Sequence, residues 1–358
     1  MAKLTLWLRS EVRTTERRTP LLPEGAKQLL EDGVNVVVEK SDKRIFENSL
    51  YEKAGCTMTE AGAWEQAPAD AIILGLKELP GTPETLIHSH IYFAHAYKEQ
   101  SGWQKLLNRF QNGGGSLLDI EYMTQNDGHR VVAFGYWAGY MGAALALLQW
   151  QDHSTGRPSY INAGMTPFTC AKSLNDLIDS RASGSKVPTA LVIGAGGRSG
   201  KGAAEILERH GVKVTRWGRD ETTSIDRGAI LGHDILINCA FIQDMIPPFL
   251  TPEHIKPGCR LSVISDVSCD PFSDFNPLPL YGAPTCWKAP AISLSENMDL
   301  IAVDNLPSLL PTEASIEFAT LILPFLESLK DRDTDPVWIN CAAAYKQACD
   351  SMTKSEVA

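Results

Sequence analysis

The chain has 358 residues, 44% of them hydrophobic, which is enough for about two domains that each bury their own core. A formal net charge of -10, without a lysine- and arginine-rich run, excludes a generic electrostatic footprint for nucleic acid. No stretch approaches the roughly 20 apolar residues that cross a bilayer, MAKLTLWLRSEVR lacks a secretory pattern, and the eight cysteines contain no CxxC pair; a reduced, cytoplasmic protein without membrane, nucleic-acid or metal partner is expected.

KLTLWLRSE reads as an opening strand, followed by a proline-punctuated loop and the helix PEGAKQLLEDG, with Pro23 in its first turn and Gly33 past its end. VNVVVEK is a β-branched strand, YEKAGCT a short helix, and ADAIILGLKE a strand with a buried apolar run. IHSHIYFAHAY reads as extended, which puts His88 and His90 on one face and His95 on the other and argues against a three-histidine metal cage. Residues 99 to 111 read as a helix, SLLDIEYM as a strand, and residues 134 to 150 as a long helix that is apolar all round.

FTCAKSLNDLIDSRASG is helical, and VPTALVIGAGGRSGKGAAEILERHG opens a second α/β unit whose further strands are HDILINCAF, RLSVISDVS and DLIAVDNL. LPSLLPTEASIEFATLILPFLESLK supplies helices near the end. Strands alternating with helices imply mostly parallel, wrapped sheets. An α/β chain of two Rossmann-like domains follows, one from residues 1–135 and 306–358, the other from 136–305. Hinges fall near Gly135 to Gly142 and near Leu306.

VIGAGGRSGKGA places Gly194, Gly196, Gly197 and Gly200 between an apolar strand and a helix. Glycines permit the tight turn and let backbone N–H groups approach a pyrophosphate at a helix N-terminus, so dinucleotide binding is expected, with Arg198 facing the phosphates. A carboxylate about 20 positions on normally holds the adenine ribose. Here that strand end is Gly218, followed by Arg219 and the displaced acids Asp220 and Glu221. Two readings stay open: tolerance of the 2′-phosphate of NADP, or replacement of the missing acid by Asp220.

Lys77 and His95 close consecutive extended stretches, and charged groups at strand ends of parallel sheets face the crevice where ligands bind. Together ERRTP (16 to 20), LKE (76 to 78), FAHAYKEQ (93 to 100), LLDIEY (117 to 122), HRVVAFGYWAG (129 to 139) and VDNLPSLLP (303 to 311) closely resemble the NAD-dependent, lysine-forming saccharopine dehydrogenases over nearly the whole chain. The chain is similar, more distantly, to alanine dehydrogenase and the transhydrogenase domain.

The resemblance implies two Rossmann-like domains with an active-site cleft between them, and reversible oxidation of saccharopine to lysine and 2-oxoglutarate. It implies Lys77 as the base for the substrate amine and His95 as the acid-base group of imine hydrolysis; by their charge, Glu78 and Glu121 would stabilise the lysine ammonium and so tune it. A protonated secondary amine cannot lose hydride until its nitrogen lone pair is free, so a base must act first, and a lysine serves only if its pKa of about 10.4 falls. Substrate contacts carried over are Arg18, Gln100, Arg130, Phe134, Ser268, Cys269 and Asp270; the arginines suit a substrate with three carboxylates. Cofactor contacts carried over are Gly197, Arg198, Thr222, Val267, Val303, Asp304, Asn305 and Leu306, beside Gly194, Gly196, Gly218, Arg219 and Phe241.

His88 and His90 are expected to be structural or to support the catalytic groups from behind. Departures from the family fall at Gly218, at His129 in place of an arginine and at Phe241 in place of a tyrosine, and each removes a polar contact to the dinucleotide. Ser199 replaces a cysteine that relatives could pair with the one matching Cys239. NAD is the expected cofactor, with NADP open through Gly218 and Arg219. Alternatives are an opine-type or alanine-type amino-acid dehydrogenase, or a catalytically silent dinucleotide-binding regulator. The sequence is compatible with a monomer without setting the oligomeric state.

Overall fold

The structure, a computed structural model, describes residues 3–97, 102–184 and 186–357, with side chains described up to Met352. The chain forms two compact units: one runs to Ala133 and resumes at Ala314, and the other is Phe134–Glu313.

The first unit opens with β1 (Thr5–Leu8), α1 (Pro23–Glu31), β2 (Asn35–Glu39), α2 (Asn48–Ala54), β3 (Thr57–Thr59), β4 (Ile72–Leu74), β5 (Ser89–Tyr92), α3 (Trp103–Gly113) and β6 (Ser116–Asp119). All its strands pair parallel, in the order β3-β2-β1-β4-β5-β6. Strand order therefore reverses between β1 and β4, the kind of point where open α/β sheets bind ligands at their carboxyl ends. The central strands are buried on both faces, which explains runs such as VVV and IIL in place of alternation. Glu39, fully buried at the end of β2, accepts N–H groups from Ser10, Gly62 and Trp64 at 2.8, 2.9 and 2.7 Å and fixes the loop after β1.

The second unit contains α4 (Gly135–Thr155), α5 (Ala171–Arg181), β7 (Thr189–Ile193), α6 (Arg198–Arg209), β8 (Lys213–Trp217), α7 (Arg219–Thr223), α8 (Arg227–Leu231), β9 (Ile235–Asn238), β10 (Val263–Asp266), β11 (Ala291–Ser295) and β12 (Met298–Ile301). Its sheet runs β11-β12-β10-β9-β7-β8 and is parallel except for the β11 edge. Gly139 to Asp152 of α4 are buried without a break, because α6 covers one side of this helix and the sheet another. α9 (Pro311–Glu327) leads back into the first unit, where α10 (Pro336–Val357) packs on β6.

The chain leaves the second unit later than residue 306. Leu306, Leu309 and Leu310 are buried in that unit's core, and their burial carries its boundary on to Glu313. Two strands are shorter than their apolar patterns: β4 stops at Leu74 rather than reaching Lys77, and β5 stops at Tyr92. At Gly75, just past β4, the Arg9 guanidinium lies against the backbone. No helix among the described residues is long and apolar enough to cross a membrane.

Candidate active site

Four neighbouring parallel strands, β1, β4, β5 and β6, deliver the charged groups of the first unit from their carboxyl ends. Arg9 and Glu11 follow β1, Lys77 and Glu78 follow β4, His95 follows β5, and Asp119 and Glu121 close β6.

The Lys77 backbone is held at both polar groups. Glu11 accepts the N–H of Lys77 at 3.0 Å and that of Leu76 at 2.7 Å, while the Arg9 guanidinium donates to the Lys77 carbonyl. Arg9 is 2% exposed and pairs with Glu11 at 3.4 Å. Burial pushes the Glu11 carboxyl above its ordinary range, against the pull of Arg9 and the two N–H groups. Gly75 makes room for this arrangement: a Cβ there would lie 2.6 Å from Arg9 Cζ. The strand pattern of ADAIILGLKE accordingly breaks where a guanidinium crosses it.

Glu16 and Glu78 both feel the Lys77 charge. Burial alone would raise the Glu16 pKa, but the Arg18 guanidinium and then Lys77 hold it down to about 2. Arg18 donates to Glu16 through Nε at 2.8 Å and Nη2 at 2.6 Å and is 4% exposed, so this candidate carboxylate-binder already carries one carboxylate. Glu78 accepts from Arg13 Nε at 2.9 Å; partial burial opposes ionisation there, and backbone hydrogen bonding, Arg13 and Lys77 outweigh it.

His95 adopts a left-handed φ of 52°, which ends the extended run and turns the imidazole to Glu121: Nδ1 and Oε2 are 3.2 Å apart. The imidazole is half exposed and stacks on Phe93, with centroids 6.2 Å apart. Arg130 fixes Glu121 from the other side, with Nη2 at 2.9 Å from Oε1 and Nε donating to the Glu121 carbonyl at 3.0 Å. Behind them Asp119, fully buried, accepts the Glu121 N–H at 2.9 Å. Burial raises its pKa to about 6 and the Glu121 charge adds to the rise, with the Glu121 N–H and His95 opposing.

Glu78, Tyr92, His95, Trp103 and Arg109 line one cavity of about 300 Å3. Lys77 sits one residue from Glu78, and Phe93 N–H donates to the Leu76 carbonyl at 3.1 Å, tying the two strand ends together. Gln100 lies outside the described residues. His88 and His90 belong to the core: His88 Nε2 lies 3.0 Å from the Ala67 carbonyl, and His90, fully buried, meets Trp64 and Phe110 edge-on. Burial drives the His90 pKa well below its usual value. Among the described residues no group of three or more His, Cys, Asp or Glu could hold a metal ion.

In the second unit, Gly194 has a φ of 77°, and its N–H and that of Ala195 donate to the Trp217 carbonyl at 2.9 and 3.1 Å. A Cβ at Gly200 would run into the Gly194 carbonyl, so the glycines allow the tight strand-to-helix turn. Gly196 has open space beside it, Gly197 caps α6 without a side chain, and Arg198 is its first residue. A turn of this form leaves backbone N–H groups open to an anion at the start of a helix. Gly218 and Arg219 are exposed at the end of β8, and Thr222 donates its hydroxyl to the Arg219 carbonyl at 2.9 Å.

Phe134 is the N-cap of α4 and Phe241 is 72% exposed. Val267 and Val303 pack in or against the unit's core, as does Leu306; Asn305 is buried and Asp304 exposed. Ser268 donates to the Ala240 carbonyl at 2.6 Å, and Asp270 is exposed. Cys269, at φ 48°, turns its thiol onto the Ala302 carbonyl at 3.0 Å, and burial with the Asp266 charge pushes that thiol up to about 12. His129 is exposed beside Asp127, and Cys239 is free under the Gly194 turn.

Arg9, Glu11 and Asp119 were not singled out in the sequence. The signal was present: each is a charged residue at or just past the end of a parallel strand, as Lys77 is.

Residues 7–141 match the family model of the alanine dehydrogenase/PNT N-terminal domain. The chain is 39% identical to the saccharopine dehydrogenase (NAD(+), L-lysine-forming) of Yarrowia lipolytica, covering 96% of this chain and 97% of that one. It is also 39% identical to the enzyme of that name from Emericella nidulans, over 97% and 98% of the two chains. Among solved structures it is similar in fold to an L-alanine dehydrogenase, with TM-score 0.70 and 15% identity over 98% of this chain and 100% of that one. It is likewise similar to a transhydrogenase from Sinorhizobium meliloti, with TM-score 0.64 and 16% identity over 91% and 93%. Both sheets share the Rossmann-like fold of these neighbours.

Proposed function

Because the chain belongs to the NAD-dependent, L-lysine-forming saccharopine dehydrogenase family, we propose that it reversibly oxidises saccharopine to L-lysine and 2-oxoglutarate, with NAD as hydride acceptor. The observation that carries the reading is the convergence of Lys77, Glu78, His95 and Glu121 on neighbouring ends of one parallel sheet, beside its topological switch point.

Saccharopine is a secondary amine, protonated at neutral pH. Lys77, fixed through its backbone by Glu11 and Arg9, takes that proton and frees the lone pair. NAD supplies the acceptor for the hydride then lost from the adjacent carbon, and the residues that suit it are Gly194, Gly196, Gly197 and Arg198 at the start of α6, with Gly218, Arg219, Thr222, Phe241, Val267, Val303, Asp304, Asn305 and Leu306. Water adds to the resulting imine. His95, oriented by Glu121, moves the protons of that addition and of carbinolamine collapse. Arg18 and Arg130, with Gln100, are the first unit's candidates for the substrate carboxylates; Phe134, Ser268, Cys269 and Asp270 are the second unit's candidate substrate contacts, Asp270 being an anion suited to a substrate ammonium. Glu78 stabilises the Lys77 ammonium and so sets when it can act as a base.

The unit containing β1 to β6 is the substrate unit in this reading, and Phe134–Glu313 the dinucleotide unit. A reducing, cytoplasmic setting suits the eight free cysteines.

The test is NADH oxidation by the purified chain given lysine plus 2-oxoglutarate, against pyruvate plus ammonia. Turnover with the first pair alone is expected. Turnover with pyruvate and ammonia would replace the reading with an alanine-type one, and tight NADH binding without any oxidation would make the chain a regulator.

A further inference from the structure

The end of β8 lacks the acid that holds the adenine ribose in dinucleotide-binding folds, and Gly218 stands in its place. A carboxylate is nevertheless present there. Glu221, one turn on in α7, folds back so that its Oε2 accepts the Gly218 N–H at 2.7 Å. The same oxygen lies 3.5 Å from the point a Cβ at residue 218 would occupy. A glutamate rooted at 218 would carry its own carboxylate oxygens about 3 to 4 Å from its Cβ by bond lengths alone. The position is tied to the phosphate turn, since Trp217 accepts N–H groups from both Gly194 and Ala195. The Gly218 N–H keeps Glu221 below the usual carboxylate range and therefore ionised at neutral pH.

We propose that Glu221 is the specificity-determining residue of the cofactor site: its carboxylate takes the ribose diol of NAD and repels the 2′-phosphate of NADP, in place of an acid at position 218. The proposal rests on the dinucleotide reading of this unit. It differs from both possibilities the sequence leaves open, NADP tolerance and replacement of the missing acid by Asp220. Arg219 is exposed beside the turn, but any 2′-phosphate it attracts has to sit against the Glu221 charge. Among the described residues the Gly218 N–H goes to Glu221 and not to Asp220, the other candidate acid, which stands at a different position of the same turn.

The experiment is titration of NADH and NADPH by nucleotide fluorescence, without substrate, on the full chain and on Glu221→Gln, Asp220→Asn and Glu221→Gln with Gly218→Asp. Glutamine keeps an oxygen for the Gly218 N–H, so the turn is preserved while the charge goes, and unchanged thermal unfolding checks this. The wild-type chain is expected to prefer NADH. Glu221→Gln should weaken NADH about tenfold or more, the scale of one hydrogen bond to a charged group, and should tighten NADPH. Asp220→Asn should change neither, and the added Gly218→Asp should restore NADH preference. A Glu221→Gln chain with the wild-type ratio of NADH to NADPH affinity overturns the proposal, as does a wild-type preference for NADPH; both leave dinucleotide binding intact. A wild-type chain that binds neither nucleotide overturns the dinucleotide reading, and this proposal with it.

Discussion

Glu11 accepts the backbone N–H of Lys77 at 3.0 Å, across the boundary between β1 and β4 where the strand order of the first sheet reverses. A long flexible side chain is thereby rooted on a backbone held at both its N–H and its carbonyl, and misplacement of about 1 Å can cost a hundredfold in rate. Glu11→Gln turns an amide donor toward one of two N–H groups. We expect kcat to fall about ten- to a hundredfold with NADH affinity unchanged, and the pH profile of kcat to move with Lys77. Stopped-flow turnover over a pH series checks it; a profile and rate equal to wild type would rule out the positioning role.

Lys77→Met should lower turnover by about 10² or more while NADH binding stays near wild type, the usual scale for losing an acid-base group. His95→Gln should slow the same overall reaction and leave the fold intact, because the imidazole is half exposed. Steady-state kinetics with fluorescence titration separates the two effects. Near-normal turnover in Lys77→Met would remove it as the base.

Burial raises the folded-state pKa of Asp119 to about 6, above the ordinary aspartate value of 3.8. A raised pKa means the folded chain binds this proton more tightly than the unfolded chain does. Its contribution is fully present below the unfolded value and is lost as pH rises through about 6. Asp119→Asn removes the buried charge and keeps an oxygen for the Glu121 N–H. The variant should be more stable than wild type at pH 7.5, by up to about 3 kcal/mol from the size of the shift, and the gap should close toward pH 4. Urea unfolding at both pH values measures it. A gap that does not change with pH would refute the assignment.

Gly75→Ala should destabilise the first unit. Its Cβ would stand 2.6 Å from Arg9 Cζ, and overpacking of this kind costs about 1 to 3 kcal/mol. Because Arg9 donates to the Lys77 carbonyl, activity should fall together with the midpoint of unfolding. An unchanged midpoint would mean Arg9 can move aside freely.

Much of the fold was legible because its signals are local. β-branched runs gave the central strands, Pro23 and Gly33 bracketed α1, and VIGAGGRSGKGA announced the turn between β7 and α6. Weaker elements escaped. β3 and the edge strand β11 are short or exposed, and α10 begins after a charged segment and spreads its buried positions thinly. Lys77, His95 and Glu121 were visible as charged groups at strand ends; the roles of Arg9 and Glu11 were not, since they depend on β1 lying beside β4.

By itself the sequence determined the α/β class, the glycine turn and the residue types available for acid-base chemistry, because periodicity and backbone freedom act over a few residues. Only the tertiary structure decided which strand ends are neighbours. It also decided that Arg18 is paired with Glu16 and that the Glu221 carboxylate returns to the place Gly218 left empty. Hydrogen bonds and ion pairs form between groups that packing brings together, and sheet order sets that proximity over separations no local pattern spans.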